Sequence, residues 1–95
     1  MKTLLCSIYD EAIEVYYPPF HSVTLRDAER QFGLAATKPD SALFGSPQDY
    51  SLYHVATFDD HTATYENINP PSLICRATKF RPSPELTTPN TEAKP

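Results

Sequence analysis

Ten prolines and only two glycines punctuate this 95-residue chain, and that imbalance constrains it most. Proline fixes its backbone φ and has no amide to donate, so it ends helices and interrupts strand ladders. The interruptions fall at Pro18–Pro19, Pro39, Pro47 and Pro70–Pro71, then at Pro82, Pro84, Pro89 and Pro95. Only short elements fit between them, and at this length they can surround a single hydrophobic core.

Between the breaks the hydrophobic periodicity is readable. "TLLCSIY" (3–9) and "AIEVYY" (12–17) alternate as strands, with a tight turn expected at Asp10–Glu11. "TLRDAERQFGLAA" (24–36) reads as a helix: Thr24 and Asp27 form a capping pair, and Leu25, Ala28, Phe32 and Ala35 make an apolar stripe. Residues 38–49 read as a loop carrying Phe44, and "YSLYHVATF" (50–58) as a strand. "DDHT" (59–62) is a turn, "ATYENI" (63–68) a returning strand, and "SLICRATKF" (72–80) a closing strand or a short helix, the strand being preferred. The order β-β-α-β-β-(β) predicts a small α+β domain over 1–80, a mostly antiparallel sheet packed on one helix. Residues 81–95 have no apolar face, and a Pro-rich disordered tail is expected there.

The net charge of −4 opposes nucleic-acid binding by bulk charge. The charge is uneven, however: no acid lies between Glu66 and Glu85, where Arg76, Lys79 and Arg81 fall. Cys6 and Cys75 sit in apolar settings without metal-ligand spacing, and read as buried free thiols. The apolar run at the start is short and ends at Asp10–Glu11. A soluble cytoplasmic chain is expected.

Catalytic chemistry has little to stand on. Asp59, Asp60 and His61 could form a metal or acid–base cluster, but one turn supplies all three, and solvated Asp and His are common where a chain reverses. His54 has no nucleophile beside it in sequence, and no nucleophile elbow, phosphate loop or H-E-x-x-H occurs. No enzyme activity, metal or cofactor is expected.

The aromatic residues carry more. Tyr50, Leu52, His54 and Phe58 share one parity of their strand, and Tyr53 and Val55 the other. Tyr50, Leu52 and Phe58 are expected to pack inward and Tyr53 to reach solvent. Exposed rings beside cations hold single-stranded nucleic acid by stacking. On that reading the candidate nucleic-acid-binding residues are Tyr16, Tyr53, Arg26, Arg30, Arg76, Lys79 and Arg81. The competing reading is structural: rings in the core, Arg26 and Arg30 paired with Asp27 and Glu29, and Arg76 to Arg81 guarding a sheet edge.

Three stretches, "SIYDEAIEVYYPPF" (7–20), "TLRDAERQF" (24–32) and "SPQDYSLYHVATFDDHT" (46–62), resemble in their order the small non-structural protein of gokushovirus-type microviruses, which are single-stranded DNA phages. That family's pattern is a YD, a strand ending at PF, a helix with A-x-R-x-F, a P-x-D-Y/F-x-L-Y stretch and an FD turn before T-G. Ala63 stands where the pattern has the glycine of T-G, and alanine tolerates positive φ poorly. The glycine before FD is also replaced.

The resemblance implies an accessory protein of the host cytoplasm, of a kind labelled DNA-binding or placed at single-strand genome production. Two expectations follow. The chain binds single-stranded DNA during viral replication or packaging. Alternatively, it is an interaction module that docks on the phage replication initiator, on capsid-assembly intermediates or on a host factor. No membrane association is expected, and the open sheet edges favour a homodimer.

Overall fold

The structure, a computed structural model, describes residues 1–81. Among these lie one antiparallel sheet of five strands, one long helix and one short one. The expected α+β class is the observed one. Of the expected Pro-rich tail, residues 82–95 lie outside the described residues.

Strand β1 (Lys2–Asp10) is the spine of the sheet. It pairs along its whole length with β4 (Tyr50–Asp59), from Lys2 opposite Asp59 to Asp10 opposite Tyr50. Its other edge is shared by two short strands, β2 (Val15–Tyr16) and β3 (Phe20–Ser22). Pro18–Pro19 separate them, as expected of residues that cannot donate to a ladder. The ladder recovers beside the break: the Tyr17 amide donates to the Ile8 carbonyl at 2.8 Å, and the Ser7 hydroxyl donates to the Tyr17 carbonyl at 2.6 Å.

The second strand is therefore shorter than the expected 12–17, and the turn spans 11–14 rather than 10–11. Asp10 shapes that turn. Its buried carboxylate accepts from the Ala12 amide at 3.0 Å and from the Tyr17 hydroxyl at 3.2 Å. Glu14 takes φ 57° to complete the reversal.

The helix α1 (Leu25–Ala36) forms where the sequence places it, with the Thr24 hydroxyl accepting from the Asp27 amide at 3.0 Å. It buries Ala28, Phe32, Gly33 and Ala36, while Leu25 is exposed. Gly33 serves a close approach: a Cβ there would lie 2.7 Å from the Phe80 ring. The expected loop at 38–49 contains a four-residue helix α2 (Ala42–Gly45), capped by Ser41, and a 3-10 turn (Pro47–Asp49). With Cys6, Tyr50, Leu52, Cys75 and Ala77 from the sheet side, α1 and Leu43 close one core. Cys6 and Cys75 are buried free thiols, with β4 between them. Burial pushes both thiols up to about 11.

Two register breaks depart from simple alternation. Ile74 of β5 is extra between the pairs Leu52–Cys75 and Tyr53–Leu73, and between His54 and Ala56 the extra residue Val55 flips the parity of β4 against β1. Phe58, expected inward, thus lies on the opposite face, against Tyr65 at 4.9 Å and His21 at 5.9 Å. The expected strands 63–68 and 72–80 are one edge strand, β5 (Thr64–Arg76), which runs through Pro70–Pro71. Residues 68–71 bulge opposite Val55, because Asn67 pairs with Ala56 and Ser72 with His54. An edge position accommodates the missing donors. β5 ends at Arg76, and a 3-10 turn (Ala77–Lys79) carries the chain over to the helix.

Candidate functional site

The helix covers one face of the sheet, and the other is open. On the open face, pairing aligns Tyr16, Tyr9, Ser51 and Arg76 in one row across β2, β1, β4 and β5, and Ser7, Tyr53 and Leu73 in the next. Two small serines, both buried, separate three tyrosines. Tyr9 and Tyr16 have ring centres 4.6 Å apart, Tyr16 and Tyr53 5.7 Å, and Tyr9 and Tyr53 6.1 Å, the last two pairs edge-to-face. Tyr16 is 42% exposed, and Tyr9 and Tyr53 are half-buried. Such pairs hold each other while their outer faces stay accessible.

Arg76 borders this cluster, its guanidinium 3.5 Å from the Ser51 hydroxyl and 3.9 Å from Glu11. The ion pair is solvent-exposed and weak. Acid is present too. The Tyr9 phenol is raised above its ordinary range by partial burial first, then by Glu14, with Tyr16, Glu11 and Tyr53 adding to it.

The other cations are elsewhere. Arg26, Arg30 and Lys79 line a groove of about 460 Å³ on the helix side, together with Glu29 and Phe80. There Arg30 pairs with Asp27 at 2.7 Å and Lys79 pairs with Glu29. The Arg30 hydrogen bond first, then those from Ser22 and Gln31, hold the Asp27 carboxyl below the usual range. Arg81 lies 3.7 Å over the Phe44 ring and donates from Nε to the Phe44 carbonyl at 2.7 Å.

The structure therefore brings Tyr16, Tyr53 and Arg76 together and separates them from Arg26, Arg30, Lys79 and Arg81. The basic strip read from 76–81 does not form a strip, because the turn at 77–79 takes Lys79 around to the helix. Its apparent freedom from acids was a matter of sequence distance. Glu11 and Glu29 arrive from other elements. Tyr9 was missed as a site residue. Its signal was the "SIYDE" alternation, which puts Tyr9 on the face opposite Ile8.

The cluster at 59–61 is occupied by the hairpin turn. Asp59 accepts from the His61 amide at 2.9 Å, and Asp60 meets the N-terminal ammonium at 2.6 Å. Ala63 adopts φ 57°, so the turn forms with alanine in the position where the resembled pattern has glycine. His54 bonds Thr57 at 3.2 Å. Among the described residues no group of three His, Cys, Asp or Glu side chains is arranged to hold a metal, and no helix is long and apolar enough to cross a membrane.

The positions shared with the resembled pattern are largely architectural here. Asp10 builds the first turn, Phe32 fills the core, and Tyr50 is buried on the covered side, its phenol raised by the neighbouring Tyr17 hydroxyl, by burial and by Asp10. No curated protein and no solved structure matches the chain. A family model does match, over residues 3–80, from the start of β1 to Phe80. The match covers nearly all of the described residues, and the chain belongs to the Phage ORF5 protein family.

Proposed function

We propose that this phage accessory protein acts without catalysis and binds single-stranded DNA on the open face of its sheet, during replication or packaging of a microvirus-type genome in the host cytoplasm. The observation that supports this most is the placement of Tyr16, Tyr53 and Arg76, with Tyr9, on one uncovered face. Phenol rings offer flat surfaces to unpaired bases, worth about 1–3 kcal/mol per stacked base, and Arg76 meets the backbone. Arg26, Arg30 and Lys79 belong to a different surface and are not part of this contact.

With one cation at the contact and Glu11 and Glu14 beside it, affinity per protomer is modest. The binding constant falls with salt at a slope near that of a single phosphate contact. Self-association, as a homodimer, would raise the apparent affinity. Fluorescence anisotropy of a labelled oligothymidylate at 20 and 200 mM salt tests the reading. Binding at low salt that is lost in Arg76→Gln supports it. Wild-type protein that leaves the oligonucleotide unbound at 20 mM salt refutes it.

A second reading, a protein-docking face, is favoured by one observation. Leu73 is exposed beside Tyr53 and Ile13 in the adjoining turn, and Tyr and Arg beside apolar side chains is the composition of interface hot spots. A basic partner such as a replication initiator, an assembly intermediate or a host factor would meet Glu11 and Glu14 there. Retention of such a partner, and not of oligonucleotide, by the wild-type protein selects this reading.

A further inference from the structure

The open face carries a second set of rings. Phe58 and Tyr65 face each other across β4 and β5 with ring centres 4.9 Å apart, and His21 of β3 lies 5.9 Å from Phe58 and 6.3 Å from Tyr65. Tyr65 is 53% exposed. The set lies on this face because of the irregularity at Val55, which turns Phe58 away from the helix side. Without the flip Phe58 would share the parity of Leu52 and the open face would carry one cluster of rings.

The two clusters sit at opposite ends of one surface. Tyr53 and Phe58 are five positions apart on β4, roughly 15 Å along a strand. Between them the open face presents Leu5, Ala56 and Leu73, which include no charge. Around the second cluster the pairing places Thr3 and Asn67 on the same face, also uncharged. The acids near the first cluster, Glu11 and Glu14, belong to the turn at the far end of β1. A polyanion leaving Arg76 and passing along β4 therefore meets no carboxylate on the strand positions of this track.

Resting on the single-stranded DNA reading above, we infer that His21, Phe58 and Tyr65 form a second stacking platform, so that one DNA strand runs along β4 from the Tyr9–Tyr16–Tyr53 cluster to the hairpin end. Aromatic stacking is tolerant of base identity, so the track has no strong sequence preference. A strand covering both platforms needs several nucleotides, whereas a very short one occupies the Arg76 end alone.

Anisotropy titrations with labelled dT4 and dT16 at 20 mM salt test this. Wild-type protein is expected to bind dT16 more tightly than dT4. Tyr65→Val, which keeps strand propensity while removing the ring, is expected to lose about tenfold on dT16 and to leave dT4 unchanged. Tyr65→Phe is expected to bind both as the wild type does. Photo-crosslinking of the unmodified protein to an oligonucleotide bearing 5-iodouracil gives an answer that needs no variant. Crosslinks at Tyr65, Phe58 or His21 with the long strand and not the short one are the expected result. If wild-type protein binds dT16 but Tyr65→Val binds it equally well and crosslinks stay at the tyrosine end, the second platform is overturned and the DNA reading stands. If wild-type protein binds neither oligonucleotide, both are overturned. If Tyr65→Val instead changes only the sedimentation coefficient of the free protein, the occupant of this end is a second copy of the chain and the inference fails.

Discussion

Tyr50 and Tyr53 stand three residues apart on the same strand and meet opposite fates. Tyr50 lies 8% exposed on the covered side, its ring 6.2 Å from Tyr17, whose hydroxyl is bound to buried Asp10. Tyr53 lies on the uncovered side, edge-on to Tyr9 and Tyr16 and one row from Arg76. The residue type is the same, and what differs is the layer above it. On the covered face a phenol fills volume and must satisfy its hydroxyl internally. On the open face three phenols support one another and leave their flat sides to whatever arrives. One face carries stability and the other is free to carry binding.

The largest effect that could break this division is on the covered side. Phe32→Ala empties the centre of the core and is expected to lower stability by about 3–5 kcal/mol in urea unfolding. Below the unfolding range its oligonucleotide affinity should equal that of the wild type. A parallel loss of affinity would show that the two faces are not separable.

The thiols give the next test. Burial raises Cys6 and Cys75 to about 11, so the folded protein keeps two protons that the unfolded chain releases near pH 9. Stability from this source is whole below pH 9 and falls as pH rises to about 11, by about 2 kcal/mol per thiol. The raised Tyr50 phenol pushes in the same direction at higher pH. Urea midpoints at pH 8 and pH 11 check the slope, and Cys75→Ala should remove about half of it. A flat profile would mean that the covered face admits water.

Tyr53→Val sharpens the comparison from the open side. It should weaken oligonucleotide binding about tenfold, or about 1.4 kcal/mol, by anisotropy. It should lower stability by about 1 kcal/mol through the lost edge-to-face contacts. The smallest expected change is at the turn that flanks the tyrosines. Glu14→Gly relieves the φ 57° backbone and should raise stability by about 0.5 kcal/mol in thermal unfolding. It also removes a negative charge beside Tyr9, so binding at low salt should tighten slightly.

Much of the covered side was legible in the sequence. Thr24 and Asp27 announce the helix, and the alternation of Leu4, Cys6 and Ile8 announces the spine strand, because local capping and burial on one face leave periodic marks. The open face was legible in part. Tyr53 and Tyr16 followed from alternation, but Phe58 was placed inward because a single extra residue, Val55, inverts parity and has no signature of its own. Pro70–Pro71 read as the end of a strand because a sequence does not say which strand will be an edge. The same blindness to long-range pairing hid Glu11 and Glu29 from Arg76 and Lys79, and made a scattered set of cations look like one strip.

The most direct test of the central claim is residue-resolved NMR of the wild-type protein titrated with dT16 at low salt. The division of faces predicts that the ring signals of Tyr9, Tyr16 and Tyr53 and the guanidinium signal of Arg76 shift, while those of Arg26, Arg30 and Lys79 stay in place. Shifts confined to the helix-side groove, with the three tyrosines unmoved at saturation, would contradict it.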